Sequence, residues 1–182
     1  MAEEVVDRYC SLADQFGARV DAAPDDVWSK PAPCEGWTAR DVVDHVTGSQ
    51  RNVAKSITGE EPAVDAGGDP KEVWRASYAA MKAALAQPGA LDKVAPGPMG
   101  EMPVSMIVGR FLATDVLVHT WDLSRAIGAD ETLDADAVKQ AYSGLKPMDA
   151  MIRQPGVFGP KIDPAPGDDE QTEFLKFLGR AV

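Results

Sequence analysis

The sequence has 182 residues, 45% of them hydrophobic, with 29 acidic against 18 basic side chains and a formal net charge of −11. That length suits one domain with a substantial core and is short for two, so residues 1–182 are expected to form a single domain. The acidic balance excludes a nucleic-acid or anionic-membrane footprint, since both need clustered positive charge.

No apolar run approaches the roughly 20 residues of a membrane span. The N-terminus MAEEVVDRYC lacks the basic-then-apolar layout of a secretory signal. Cys10 and Cys34 lie far apart with no CxxC spacing, which fits reduced thiols serving as small apolar residues. The expected setting is the cytoplasm.

In chain order, Val5, Tyr9, Leu12, Phe16 and Val20 recur at helical spacing between Glu3 and Ala22, with acids at the start where the helix dipole favours them. Pro24 ends that helix, and Asp25 to Lys30 offers Val27 and Trp28 to one end of a core. After the breakers Pro31, Pro33 and Gly36, Thr38 and Asp41 have capping-box spacing, and Trp37 with Val42 has that of a hydrophobic staple. A second helix therefore starts at Thr38. Its stripe is Val42, Val46, Ser49, Val53 and Ile57, and His45 lies one position from it, directed into the bundle.

Gly59 to Gly68 is a Gly-rich acidic connection, and Asp69-Pro70 reads as a cap followed by proline at the first helical position. The third helix buries Val73, Trp74, Ser77, Tyr78, Met81 and Leu85 and stops at Pro88-Gly89. Ala90 to Pro103 has no clear period and reads as a crossing loop. A fourth long helix is expected from Pro103 to Ala126, apolar on more than one face and closed by Gly128. Asp134 caps a weaker helix through Tyr142 to Leu145. Met148, Met151 and Ile152 precede a Pro- and Gly-rich surface tract from Gln154 to Gly167, and a short helix from Asp168 to Leu178 packs Phe174, Leu175 and Leu178. No strand signal of useful length appears, so the fold class is all-α, a bundle of four long helices with long connections and short extra helices.

The fourth helix carries the functional signal. Val104, Val108, Phe111, Asp115, His119, Asp122 and Ala126 fall on one stripe in steps of three and four. An inward carboxylate and imidazole need partners, because burying even a neutral polar group unpaired costs on the order of 2–7 kcal/mol. Asp115 and His119 are thus either two ligands of one metal ion or a pair that satisfy each other one turn apart. His45 is a core histidine or a further ligand. It and His119 are the only histidines in the chain, and both fall on inward faces. Asp122 is either an acceptor for an imidazole N–H or a surface acid pairing with Arg125 or Arg40.

The stretches PCEGWTARDVVDHV (33–46), GEMPVSM (100–106), DVLVHTWDLSRAIG (115–128) and DDEQTEFLKFLGR (168–180) carry a family likeness. With them the chain resembles the DinB-like four-helix-bundle superfamily and, within it, the metal-binding domain of mycothiol-dependent maleylpyruvate isomerase. The resemblance implies that His45, Asp115 and His119 bind one divalent metal, and that this metal takes the sulfur of a low-molecular-weight thiol, mycothiol first among them; with such a thiol present, a contact to it is a further role open to Asp122. Two departures stand out. Asp115 replaces an expected glutamate and is one methylene shorter, so its helix must sit closer to the metal or bind it less tightly. The isomerase's further C-terminal domain exceeds this length, so isomerase activity is not carried over.

Two imidazoles and one carboxylate leave a position for water or substrate, the composition of an open catalytic site. Zn2+ is the first choice, and Ni2+ or Fe2+ also suits the donor set. The expected function is a metal- and thiol-dependent transferase or isomerase acting on a small electrophile, as a monomer or homodimer. The alternative is a non-catalytic bundle that holds a metal or small ligand. Binding through neutral imidazoles would weaken as pH falls through about 6.5.

Overall fold

The computed structural model describes residues 2–153 and 158–182. Four long helices make the frame: α1 (Ala2–Ala22), α2 (Ala39–Thr58), α3 (Pro70–Leu85) and α5 (Ala113–Ile127). α1 packs on α3 and α5, and α2 packs on the same two, so the four close into a ring around one core. Tyr9, Phe16, Val20, Met81, Val116, Trp121 and Leu123 lie at its centre with almost no exposure. No described helix is long and apolar enough to cross a membrane.

The caps expected from the sequence are made. Thr38 accepts from the Asp41 amide while the Asp41 carboxylate accepts from the Thr38 amide, a complete capping box for α2. Asp69 caps α3 with Pro70 at its first position, and Asp134 caps α6 (Ala135–Leu145). The six residues named for the buried face of α3 are all buried. The face of α2 is turned slightly from the expected stripe. Val42, Val46 and Ile57 are buried together with Thr47, Gln50 and Ala54, whereas Ser49 and Val53 are only half-buried. His45 consequently sits at the rim of the bundle and not deep within it.

Two expectations for the middle of the chain fail. The crossing loop contains a hairpin, β1 (Val94–Gly97) antiparallel to β2 (Gly100–Pro103), with Val94 opposite Pro103 and Ala95 opposite Met102. Four-residue strands holding Pro and Gly are too short to show alternation, and this hairpin is held by burying Ala95 and Met102 against the bundle. The helix after it is also irregular. A single turn, α4 (Val104–Met106), runs into a π-helical stretch, Ile107–Leu112, before α5 begins. Each additional residue in a turn rotates the following side chains by about 100°, so the stripe drawn from Val104 does not continue straight into Asp115. Phe111 is half-buried as a result, while Asp115, His119 and Asp122 share a face of the regular α5.

The C-terminal part covers one side of the ring. After α7 (Asp149–Ile152), α8 (Glu170–Phe177) packs Phe174, Leu175 and Leu178 inward and is capped by Asp169. Most of the expected surface tract from Gln154 to Gly167 is exposed coil, and its first four residues lie outside the described residues. α8 ends in a Schellman turn: the Gly179 amide reaches the Lys176 carbonyl and the Arg180 amide the Leu175 carbonyl. Gly179 has φ +85°, and a β-carbon there would stand 2.9 Å from the Pro160 carbonyl oxygen. The turn directs Arg180 back into the bundle.

Candidate metal centre

Three of the four predicted residues meet at one point. From α2, His45 Nε2 lies 3.0 Å from Asp115 Oδ1 on α5. His119, one turn further along α5, brings its Nε2 to 3.5 Å from the same oxygen. The two imidazoles have centroids 4.7 Å apart, and the donor atoms of His45, Asp115 and His119 all lie within 4.8 Å of one another. The pair of Asp115 and His119 considered from spacing is therefore formed, and His45 joins it.

The residues fit a metal ion. With bonds of about 2.1 Å, donor atoms of a tetrahedral site stand about 3.4 Å apart, close to the 3.0 and 3.5 Å that separate Asp115 Oδ1 from the two imidazole nitrogens. Asp115 Oδ2 is buried and has no hydrogen-bond partner among the described residues, a costly condition that coordination would relieve. Short as it is, the Asp115 side chain reaches His45 directly across the contact between α2 and α5. Side-chain exposure falls from 37% at His45 through 25% at Asp115 to 7% at His119, so the cluster opens to solvent on the His45 side.

Behind His119 lies a second layer. Its Nδ1 is 2.8 Å from Asp122 Oδ2, and Asp122 has no exposed side-chain surface. Asp122 also takes both arms of Arg180, at 2.8 and 3.3 Å. The surface alternative for Asp122 is excluded: Arg125 pairs with Glu131 and Arg40 with Asp44. Burial works against every charge here, but the neighbours outweigh it. His119 and His45 hold Asp115 well below the usual carboxylate range. His119 and Arg180 hold Asp122 at about 2. The two carboxylates push His119 well above its ordinary value. Without a metal, these surroundings favour the protonated ring of His119 between its two carboxylates.

Sequence reasoning missed three contributors. Cys34, assigned a small-apolar role, places Sγ 3.5 Å from Asp122 Oδ2 and 3.5 Å from Arg180, and with His119 and Asp122 it forms a second group of three potential metal donors. Trp37 stacks on His119 at 5.7 Å and tilts against His45 at 5.1 Å, walling the cluster. Both sit in a tight loop closed by the Pro31 to Thr38 bridge and by bonds between Ala32 and Trp37 and between Trp37 and Cys34. Arg180 was visible only as the last residue of the C-terminal likeness. The glycine before it is the local signal that the chain turns back.

Fold and site together define a helical-bundle protein with a two-histidine, one-carboxylate cluster at its rim. The chain belongs to the family described as the mycothiol maleylpyruvate isomerase N-terminal domain, whose model matches residues 11–124. Two uncharacterised Mycobacterium tuberculosis proteins, from the Oshkosh and H37Rv strains, are each 31% identical over 176 residues, covering 93% of this chain and 93% of their own. Among solved structures, the mycothiol-dependent maleylpyruvate isomerase superposes with a TM-score of 0.60 at 15% identity, covering 80% of this chain and 69% of that one. A histidine-to-alanine mutant of that isomerase gives 0.59. The structural likeness establishes the shared fold.

Proposed function

We propose that this protein holds one divalent metal ion through His45, Asp115 and His119, and that it acts with a low-molecular-weight thiol as a transferase or isomerase on a small electrophile. The observation that carries the reading is the cluster itself: two imidazole nitrogens and a carboxylate with one orphaned oxygen, converging at the rim where a ligand can enter. The family and the name of its structural neighbour support mycothiol as the thiol. Zn2+ suits a site of this composition, and Ni2+ or Fe2+ would also be held by it. Residues 1–182 are taken as one unit of this type, working in the cytoplasm.

When bound, such an ion lowers the pKa of a coordinated thiol from about 8.5, so that thiolate is available at neutral pH. The protein's own groups prepare that site. Asp122 accepts the Nδ1 proton of His119, which leaves Nε2 free to act as donor and fixes the ring. Arg180 keeps Asp122 ionised in a fully buried position. Trp37 shields one flank of both imidazoles, and the exposed flank of His45 remains the approach for the thiol and its partner.

The test is spectroscopic. Co2+-substituted protein titrated with mycothiol should develop a sulfur-to-metal charge-transfer band and release about one proton per site below the thiol's own pKa. Asp115→Ala should abolish both signals. Metal-loaded protein whose spectrum no thiol perturbs at millimolar concentration would instead be a metal-holding bundle with another partner.

A further inference from the structure

A second site lies on the opposite side of α5. Between α1, the π-helical stretch, α5 and α6 there is a cavity of about 480 Å³, in the size range of small-molecule pockets. Ala113, Thr114 and Leu117 of α5 face it, whereas Asp115, His119 and Asp122 project from nearly the opposite face of the same helix. The metal cluster contributes nothing to its wall.

Its construction is not that of a packing fault. Gly109 and Ala113 on one wall and Ala137, Ala141 and Gly144 on the other carry little or no side chain, so the space between the helices is left unfilled and opens to solvent. The π-helical stretch forms part of the wall, and such irregular turns are frequent at functional sites. In a chain with 29 acids and 18 bases the lining holds two arginines, Arg8 and Arg110, and no carboxylate. Both are half-buried. Arg8 bonds to Gln140 Oε1 and the Gly109 carbonyl, and Arg110 bonds to the Gly144 carbonyl. Among the described residues these contacts occupy three of the ten guanidinium N–H donors, five on each arginine. Arg110 has no acidic partner among the described residues. Leu12, Met106 and Leu117 add apolar surface to the same lining, Leu12 four residues after Arg8 on α1 and Met106 four residues before Arg110.

The geometry points to a binding site for a small organic carboxylate: the head group between Arg8 and Arg110, the apolar body against Leu12, Met106 and Leu117. A guanidinium pair matches a carboxylate by charge-assisted, paired hydrogen bonds. An apolar body favours this ligand over inorganic phosphate, which would leave that wall unfilled. The site is separate from the metal cluster and does not depend on how that cluster functions.

Octanoate, with octanamide as its neutral counterpart, is the probe, titrated calorimetrically into the full chain. Octanoate should bind once per chain and at least about tenfold more tightly than the amide. Arg110→Met should weaken it by about tenfold or more. Because that change also releases the Gly144 carbonyl, Ala141→Leu serves as a second variant that fills the cavity with both arginines intact, and it should weaken binding by a similar factor. Protein stripped of metal with a chelator should bind octanoate with the same affinity, which separates this site from carboxylate binding at a metal. Equal affinity for the amide, unchanged affinity in Ala141→Leu, loss on metal removal, or no saturation by about 10 mM would each overturn the assignment.

Discussion

Asp122 is the position where the structure makes the sharpest demand. Its side chain is fully buried and receives His119 Nδ1, both arms of Arg180 and the Cys34 thiol. Asp122→Ala removes one partner of a buried ion pair and leaves the Arg180 guanidinium, 10% exposed, without its counter-charge, a change worth about 3–5 kcal/mol of stability. It also frees the His119 ring and should lower metal affinity by about 10–100-fold, the usual cost of losing a ligand's orienting acceptor. Arg180→Met should be costly for the mirror-image reason. The double variant removes both charges and should cost less than the sum of the two single changes by roughly 1–3 kcal/mol. Urea unfolding of metal-free protein gives the stability cycle, and competition with a chromophoric chelator gives the affinity. A loss below about 1 kcal/mol in Asp122→Ala, or strict additivity in the double variant, would refute the buried-pair reasoning.

Metal analysis should find one divalent ion per chain, lost in both His45→Ala and His119→Ala; full retention by both would remove the ligand assignment. The pH dependence should differ from that expected of a free histidine. In metal-free protein the raised pKa of His119 means an ion must displace its proton, so affinity should go on rising with pH above 6.5, and a plateau at or below that value in chelator competition from pH 6 to 9 would contradict the geometry. The same proton has the opposite effect on the metal-free fold. Stability from protonated His119 is complete below 6.5 and is lost as pH rises through its raised value, whereas that from ionised Asp122 is complete above 3.8 and is lost as pH falls toward about 2. Denaturant midpoints across pH, with and without metal, read both. Thr38→Ala should cost about 1 kcal/mol, since it removes the acceptor at the start of α2, and urea unfolding measures it directly.

The sequence by itself determined the long helices and half of the site. Capping pairs such as Thr38 with Asp41 and Asp69 with Pro70 act within one turn, and the stripe of α3 follows from a period of 3.6, so both are legible without any tertiary contact. Asp115, His119 and Asp122 were visible for the same reason: polar groups at inward positions of a regular helix are a local contradiction. Tertiary structure alone decided what those groups meet. Spacing along α5 could not say that Asp115 touches a histidine seventy positions earlier, or that the partner of Asp122 is Arg180 and not Arg125. The π-helical stretch and the hairpin were hidden because their stabilising contacts are long-range burials that override weak local preference. Cys34 and Trp37 acquire their roles only when a loop folds over α5, and Arg180 acquires its role only because the glycine turn after α8 reverses the chain. A charge is paired by proximity in space, which one-dimensional periodicity does not encode.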